Sequence, residues 1–265
     1  ASREFGHCYL TQSQITAQVN ELLGLRLEDR ISDDLDQMQK DGLVMVREAA
    51  LSGGAVETCY YSKSLYFDER YVAGRISDTS APPRVDCERV EDWLGRYCEA
   101  KQFTLSEEQL DAIRGIVSEK ISVLTGGPGC GKTTATLVLV KLLEAMGKKI
   151  LLAAPTGRAA QRMMDVIGRE SKTIHRLLEW QIGRFKRNED NPLEVDFIVI
   201  DECSMLDISL AASLLKAIPR TSQILLIGDA DQLPSVGAGN VLRDIIASGA
   251  VRSFELKTVF RQARE

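Results

Sequence analysis

The chain has 265 residues, 44% of them hydrophobic, with 33 basic against 38 acidic side chains and a net charge of −5. That length holds one large domain or two smaller ones, each with its own core; the acidic balance excludes a whole-chain electrostatic grip on nucleic acid, so any DNA contact must be local. The six scattered cysteines (Cys8, Cys59, Cys87, Cys98, Cys130, Cys203) form no C-x-x-C pair and only His7 and His175 accompany them, which argues against zinc and for a reduced, cytoplasmic protein.

No secretory signal opens the chain and no apolar run approaches membrane-spanning length. It starts without methionine at Ala1-Ser2-Arg3 and stops at Arg264-Glu265, so the expectation is a fragment of a longer polypeptide. Thr11 followed by Gln14 is a capping box, and Ile15, Val19, Leu22 and Leu23 have helical spacing. A second helix is predicted over Leu27–Lys40, with Ile31, Leu35 and Met38 on one face and Gly42 as its stop. Strands are predicted at Leu43–Glu48 and Glu57–Ser62 around a Ser52-Gly53-Gly54 turn. Helix, helix and β-ribbon make a winged-helix-like pattern over residues 1–77. Its second helix carries Glu28, Asp29, Asp33, Asp34, Asp36 and Asp41 against Arg26, Arg30 and Lys40, an acidic balance that phosphates would repel. A scaffold or protein contact is therefore the expectation there, rather than DNA binding.

Residues 78–84, with Asp78-Thr79-Ser80-Ala81-Pro82-Pro83, have linker composition. Residues 85–265 then alternate: helices near Val85–Ala100 and Ser106–Val117, and strands near 121–125, 149–154, 195–200, 223–228 and 252–257 with helices between. That is an α/β pattern with a parallel sheet covered on both faces. After the first strand, Gly126-Gly127-Pro128-Gly129-Cys130-Gly131-Lys132-Thr133 fits the phosphate-cradling P-loop, between a β-branched run and a helical one. Backbone amides of Gly127, Pro128's neighbours, Gly129, Cys130, Gly131 and Thr134 would close on a polyphosphate. Lys132 would meet the β- and γ-phosphates and Thr133 a magnesium ion. Cys130, among inward amides at a helix start, is expected to be the nucleotide-sensitive thiol.

Val195–Ile200 is nearly all apolar, as in a strand buried on both faces, and ends in Asp201-Glu202. Carboxylates at that carboxyl end would face the P-loop across the sheet. Asp201 would hold magnesium through water, and Glu202 would polarise the water attacking the γ-phosphate.

The third segment resembles the first motor domain of superfamily 1 helicases of the RecD/TraA type, a RecA-like fold. The motifs occur in that family's order over residues 103–265. Phe103-Thr104-Leu105-Ser106-Glu107-Glu108-Gln109 is similar to the adenine-reading motif, with Gln109 offering its amide to the base. Ala154-Pro155-Thr156-Gly157-Arg158 and Thr173-Ile174-His175-Arg176 resemble DNA-contacting motifs, Gly228-Asp229-Ala230-Asp231-Gln232-Leu233-Pro234-Ser235 the γ-phosphate-sensing motif, and Val259-Phe260-Arg261-Gln262 a final one. The resemblance implies an ATP-driven, magnesium-dependent motor moving 5′ to 3′ on single-stranded DNA. It places Thr156, Arg158, His175 and Ser235 on the strand, Gln232 as γ-phosphate sensor and Arg261 as an arginine finger. It also implies a second RecA-like domain that these residues do not encode, and hence a motor half in DNA recombination or repair. A winged-helix regulatory module built on a nucleotide switch is the alternative reading; a P-loop nucleoside kinase would need a lid and an acceptor pocket that nothing in the sequence suggests.

Overall fold

The computed structural model describes residues 6–24, 28–50, 56–78, 83–233 and 235–260. The first elements are β1 (Tyr9–Thr11), α1 (Gln12–Leu23), α2 (Glu28–Lys40), β2 (Val44–Ala50) and β3 (Val56–Ser62). The three strands form one antiparallel sheet in the order β1-β3-β2, with Tyr9 opposite Tyr61 and Val46 opposite Tyr60. The capping box forms as spacing predicts: Gln14 N–H donates to Thr11 Oγ1 at 3.3 Å and Thr11 N–H to Gln14 Oε1 at 3.0 Å. Gly24 in the left-handed region, φ 63°, closes α1. The expected start of the second helix at Leu27 and the expected 52–54 turn lie outside the described residues, as do residues 79–82 of the 78–84 linker.

A helix that periodicity did not reveal follows, α3 (Lys63–Ile76). Ser62 caps it by accepting from Leu65 N–H. Leu65 and Val72 are buried in the same apolar cluster as the sheet residues Ile198, Ile200 and Ile224. Arg75 is only 3% exposed; its Nη2 donates to the carbonyl of Ile218 at 3.1 Å. Tyr71 OH donates to Glu189 Oε1 at 2.8 Å, and Ser209 Oγ to Asp68 Oδ2 at 2.9 Å. The amino-terminal segment is thus packed on the α/β body.

That body continues as α4 (Cys87–Lys101), α5 (Glu107–Ser118), β4 (Ile121–Gly126), α6 (Lys132–Ala145), β5 (Ile150–Ala154), α7 (Gly157–Ile167), β6 (Ser171–Thr173), α8 (Ile174–Leu177), β7 (Trp180–Gln181), β8 (Arg184–Phe185), β9 (Phe197–Ile200), α9 (Ile208–Ala217), β10 (Gln223–Gly228), α10 (Val241–Ser248) and β11 (Arg252–Leu256). Six strands form one parallel sheet in the order β11-β4-β10-β9-β5-β6. Period-2 alternation sorts its side chains. Phe197 and Val199 join the cluster that holds Ile113, Leu139 and Leu143 from α5 and α6, while Ile198 and Ile200 join the opposite one with Leu65, Ala212 and Leu242. All four residues of β9 are fully buried, which explains a continuous apolar run in place of alternating polarity. Five of the six strands coincide with strands expected from the sequence; the sixth, β6, is the polar edge Ser171-Lys172-Thr173. This is the RecA-like α/β architecture, with a small antiparallel sheet before it.

Candidate nucleotide and strand-binding site

The carboxyl ends of β4, β9 and β10 and the start of α6 surround one cleft of about 700 Å³. Gly129 (φ 80°) and Gly131 (φ 78°) bend the P-loop through backbone conformations that side chains resist. Gly131 starts α6 with no side-chain cap, leaving first-turn N–H groups open toward the cleft, a ready anion site. Lys132 Nζ meanwhile donates to the carbonyls of Gly126 and Gly127, the latter at 3.0 Å. Its charge is folded back on its own loop.

Two further contacts fix the loop from outside. Gln109 Nε2 donates to the Gly131 carbonyl at 3.2 Å, and Phe260 N–H donates to that of Gly129 at 3.0 Å. Gln109 is 3% exposed, and its Oε1 also accepts from Ser106 N–H as the capping partner of α5. Both ends of its amide are therefore engaged with protein.

Asp201 and Glu202 leave the end of β9 as expected and face the P-loop across the cleft. Glu202 has φ 54° and ψ 41°, a left-handed conformation that costs a non-glycine residue about 1 kcal/mol or more. Its N–H donates to Asp201 Oδ1 at 2.9 Å. Burial raises the Asp201 pKa above the ordinary carboxylate value and the neighbouring Glu202 charge adds to this, against the Glu202 N–H bond and the Lys132 and Arg162 charges. Asp229, 8% exposed at the end of β10, accepts from Asp231 N–H at 3.0 Å and from Gln232 Nε2 at 3.5 Å. Gln232 projects from this turn into the cleft.

The cleft therefore gathers Gln109, Pro128, Gly129, Cys130, Gly131, Lys132, Thr133, Thr134, Asp201, Glu202 and Gln232. Thr156, Arg158, His175 and Ser235 do not line it. Thr156 Oγ1 accepts from Ala159 N–H at 3.3 Å, capping α7, so its hydroxyl hydrogen stays available to a second partner. Arg158 is exposed on the first turn of α7. His175, exposed on α8, packs its ring 5.6 Å from Phe185 and 6.1 Å from Trp180 on the β7–β8 hairpin. Ser235 Oγ donates to the carbonyls of Gly237 and Gly239. Arg261 lies outside the described residues. One expectation is corrected: the Cys130 side chain, 3% exposed, turns into the apolar cluster beneath the loop, so its amide and not its thiol belongs to the cleft.

Sequence reasoning missed Arg162, whose Nη1 stands 3.8 Å from Glu202 Oε1 on the cleft wall. Its only sequence signal is the four-residue spacing from Arg158, which puts both on one face of α7.

The AAA domain family matches residues 109–238. The ATP-dependent RecD2 DNA helicase of Deinococcus radiodurans is 34% identical over 269 residues, covering 99% of this chain and 37% of that protein. The RecBCD enzyme subunit RecD of Mycobacterium tuberculosis is 38% identical over 179 residues, covering 58% of this chain and 31% of the relative. The chain thus spans about a third of the length of these curated relatives. The crystal structure of Pif1 helicase from Candida albicans is 26% identical over 60% of this chain and 41% of that one, with a TM-score of 0.47; the assignment rests on the curated relatives instead. From its motif order, its cleft and these relatives, the chain belongs to the RecD-like superfamily 1 helicases.

Proposed function

We propose that this chain is the nucleotide-binding half of an ATP-driven motor that moves 5′ to 3′ on single-stranded DNA. One observation carries the reading: the sheet edge separates two sets of groups. Lys132, Thr133, Asp201, Glu202 and Gln232 share a cleft, while Thr156 and Arg158 stand at the end of neighbouring β5, outside it. A motor needs such a division between hydrolysis and grip.

The cleft residues fit ATP and magnesium. The P-loop curvature depends on glycines, the helix N–H groups are open, and a hydroxyl and a carboxylate, Thr133 and Asp201, are present to hold the ion. Bound magnesium supplies positive charge to the β- and γ-phosphates. Lys132 would exchange the Gly126 and Gly127 carbonyls for phosphate oxygens. Glu202 would accept a proton from the attacking water, Gln232 would report the γ-phosphate to the strand side, and Arg261 would add charge as a finger. On the grip side, Thr156, Arg158, His175 and Ser235 would meet phosphates and bases. Residues 1–77 form the winged-helix-like unit, 78–84 the linker and 85–265 the RecA-like domain, completed in the cytoplasmic protein by a second lobe. One relative is named as a subunit of the RecBCD enzyme, and a place in a DNA recombination or repair complex is part of this reading.

The test uses the full-length polypeptide. ATP turnover should rise with a single-stranded oligonucleotide, and a 5′-tailed duplex should be unwound while a 3′-tailed one is not. Turnover indifferent to strands would favour a regulatory nucleotide switch, and unwinding from the 3′ tail would overturn the polarity.

A further inference from the structure

Arg162 lies outside every motif invoked above, yet it lines the same cleft as Lys132, Asp201 and Glu202. Its Nη1 is 3.8 Å from Glu202 Oε1. It is the cation of the described residues that forms an ion pair with either carboxylate of Asp201-Glu202; Lys132 is bound to the loop carbonyls instead. Arg162 is carried by α7, whose cap is Thr156 and whose first turn holds Arg158. Positions four apart on a helix are neighbours on one face, about 5–6 Å between Cβ atoms. A single rigid helix therefore connects the end proposed to meet the strand with the side chain that touches the proposed base.

We infer that Arg162 is a positioning residue that restrains the Glu202 carboxylate until a strand phosphate, bound one helical turn away at Arg158, draws the guanidinium off. The inference rests on the proposed role of Glu202. Several features support it. Glu202 is held in a left-handed backbone conformation, so its main chain is fixed and its side chain is the part free to change partner. Arg162's side chain is 70% exposed against 27% for Glu202, so the arginine can leave without opening the core. A guanidinium also forms bidentate contacts with phosphate, which gives a strand the means to outcompete one carboxylate at 3.8 Å. An exposed pair is weak, and the restraint is correspondingly small, worth roughly two- to five-fold in rate. A weak latch suits a site that must open on every strand contact.

The experiment compares steady-state ATP turnover by the full-length polypeptide with and without a saturating single-stranded oligonucleotide. Variants are Arg162→Ala, Arg162→Lys and Glu202→Gln, with nucleotide affinity and thermal melting measured for each. Arg162→Ala should raise kcat without DNA by roughly two- to five-fold, leave KM for ATP in place, and lower the stimulation ratio by the same factor. Arg162→Lys, which keeps the charge, should restore most of the restraint. A fall in kcat with and without DNA would overturn the inference and make the guanidinium a direct phosphate contact. An unchanged stimulation ratio would overturn it too. If Glu202→Gln turned over ATP at the parental rate, the proposed base itself would be wrong; a dead Glu202→Gln with an inert Arg162→Ala would sink the latch alone.

Discussion

The side-chain amide of Gln109 donates to the Gly131 carbonyl across 3.2 Å, while its carbonyl oxygen holds the Ser106 N–H at 2.9 Å. One buried residue both caps α5 and pins the last turn of the P-loop. A base in the cleft can use only the second N–H and second lone pair of that amide.

Gln109→Ala should therefore act in two ways. Loss of two buried hydrogen bonds should destabilise the fold by about 1–3 kcal/mol, and the freed loop should weaken nucleotide binding. Thermal melting and titration with a fluorescent ATP analogue check these separately. Parental affinity in a destabilised variant would show that the tie serves the fold and not the loop.

Substitutions at the two ends of the cleft should separate binding from hydrolysis. Lys132→Ala should lose most nucleotide binding. Glu202→Gln should still bind ATP yet hydrolyse it ~100- to 10,000-fold more slowly, the usual worth of a positioned general base. Equilibrium binding and single-turnover hydrolysis tell the two apart, and poor ATP binding by Glu202→Gln would contradict the assignment.

Asp201 should show a cost of function. Burial raises its pKa, so the charged form is less favoured in the folded state than in the unfolded chain. The sign follows: its carboxylate opposes folding as pH rises through the unfolded value and beyond the folded one. Asp201→Asn should melt at a higher temperature than the parent at pH 8 in magnesium-free buffer, with the gap closing in acid. The same variant should lose magnesium-dependent turnover. A lower melting temperature at pH 8 would mean that the Glu202 N–H bond outweighs desolvation.

Thiol labelling should rank the cysteines by environment. Cys87 is exposed, Cys130 is buried, and Cys203 is buried with its pKa raised mainly by desolvation. The Cys8 pKa is pushed up to about 12 by burial first and by Glu69 second. A raised thiol pKa leaves little thiolate at pH 8, so Cys8 and Cys203 should alkylate slowly until the pH is far higher. Mass-spectrometric mapping should find Cys87 labelled first, and Cys130 protected with or without ATP. Fast Cys130 labelling that ATP suppresses would put the thiol back in the cleft.

Much of this architecture was legible in the chain. Val195–Ile200 reads as a buried strand because both faces of β9 are covered, and the P-loop announces itself because only glycines tolerate φ near 80° at 129 and 131. Helix α3 was not legible: Leu65, Tyr66 and Phe67 are adjacent, which blurs helical spacing, and its partners on α9 lie far along the chain. Strand β6 is polar and three residues long, too short for a period. The dual engagement of Gln109 and the Arg162–Glu202 pair are tertiary facts, set by how loops meet at a sheet edge.

The position of α3 bears on how this protein can be taken apart. Leu65 and Val72 are 1% and 4% exposed against the sheet's own cluster, each contributing roughly 1.5–3 kcal/mol to a fold whose whole margin is typically 5–15 kcal/mol. A protein trimmed to begin at Val85 would lose that wall together with the Arg75, Asp68 and Tyr71 contacts. A transplantable α/β unit therefore has to carry α3, and the segment ahead of α3 is tied down as well, since the Gly6 carbonyl accepts from Gly239 N–H at 2.9 Å and Cys8 packs on the same cluster.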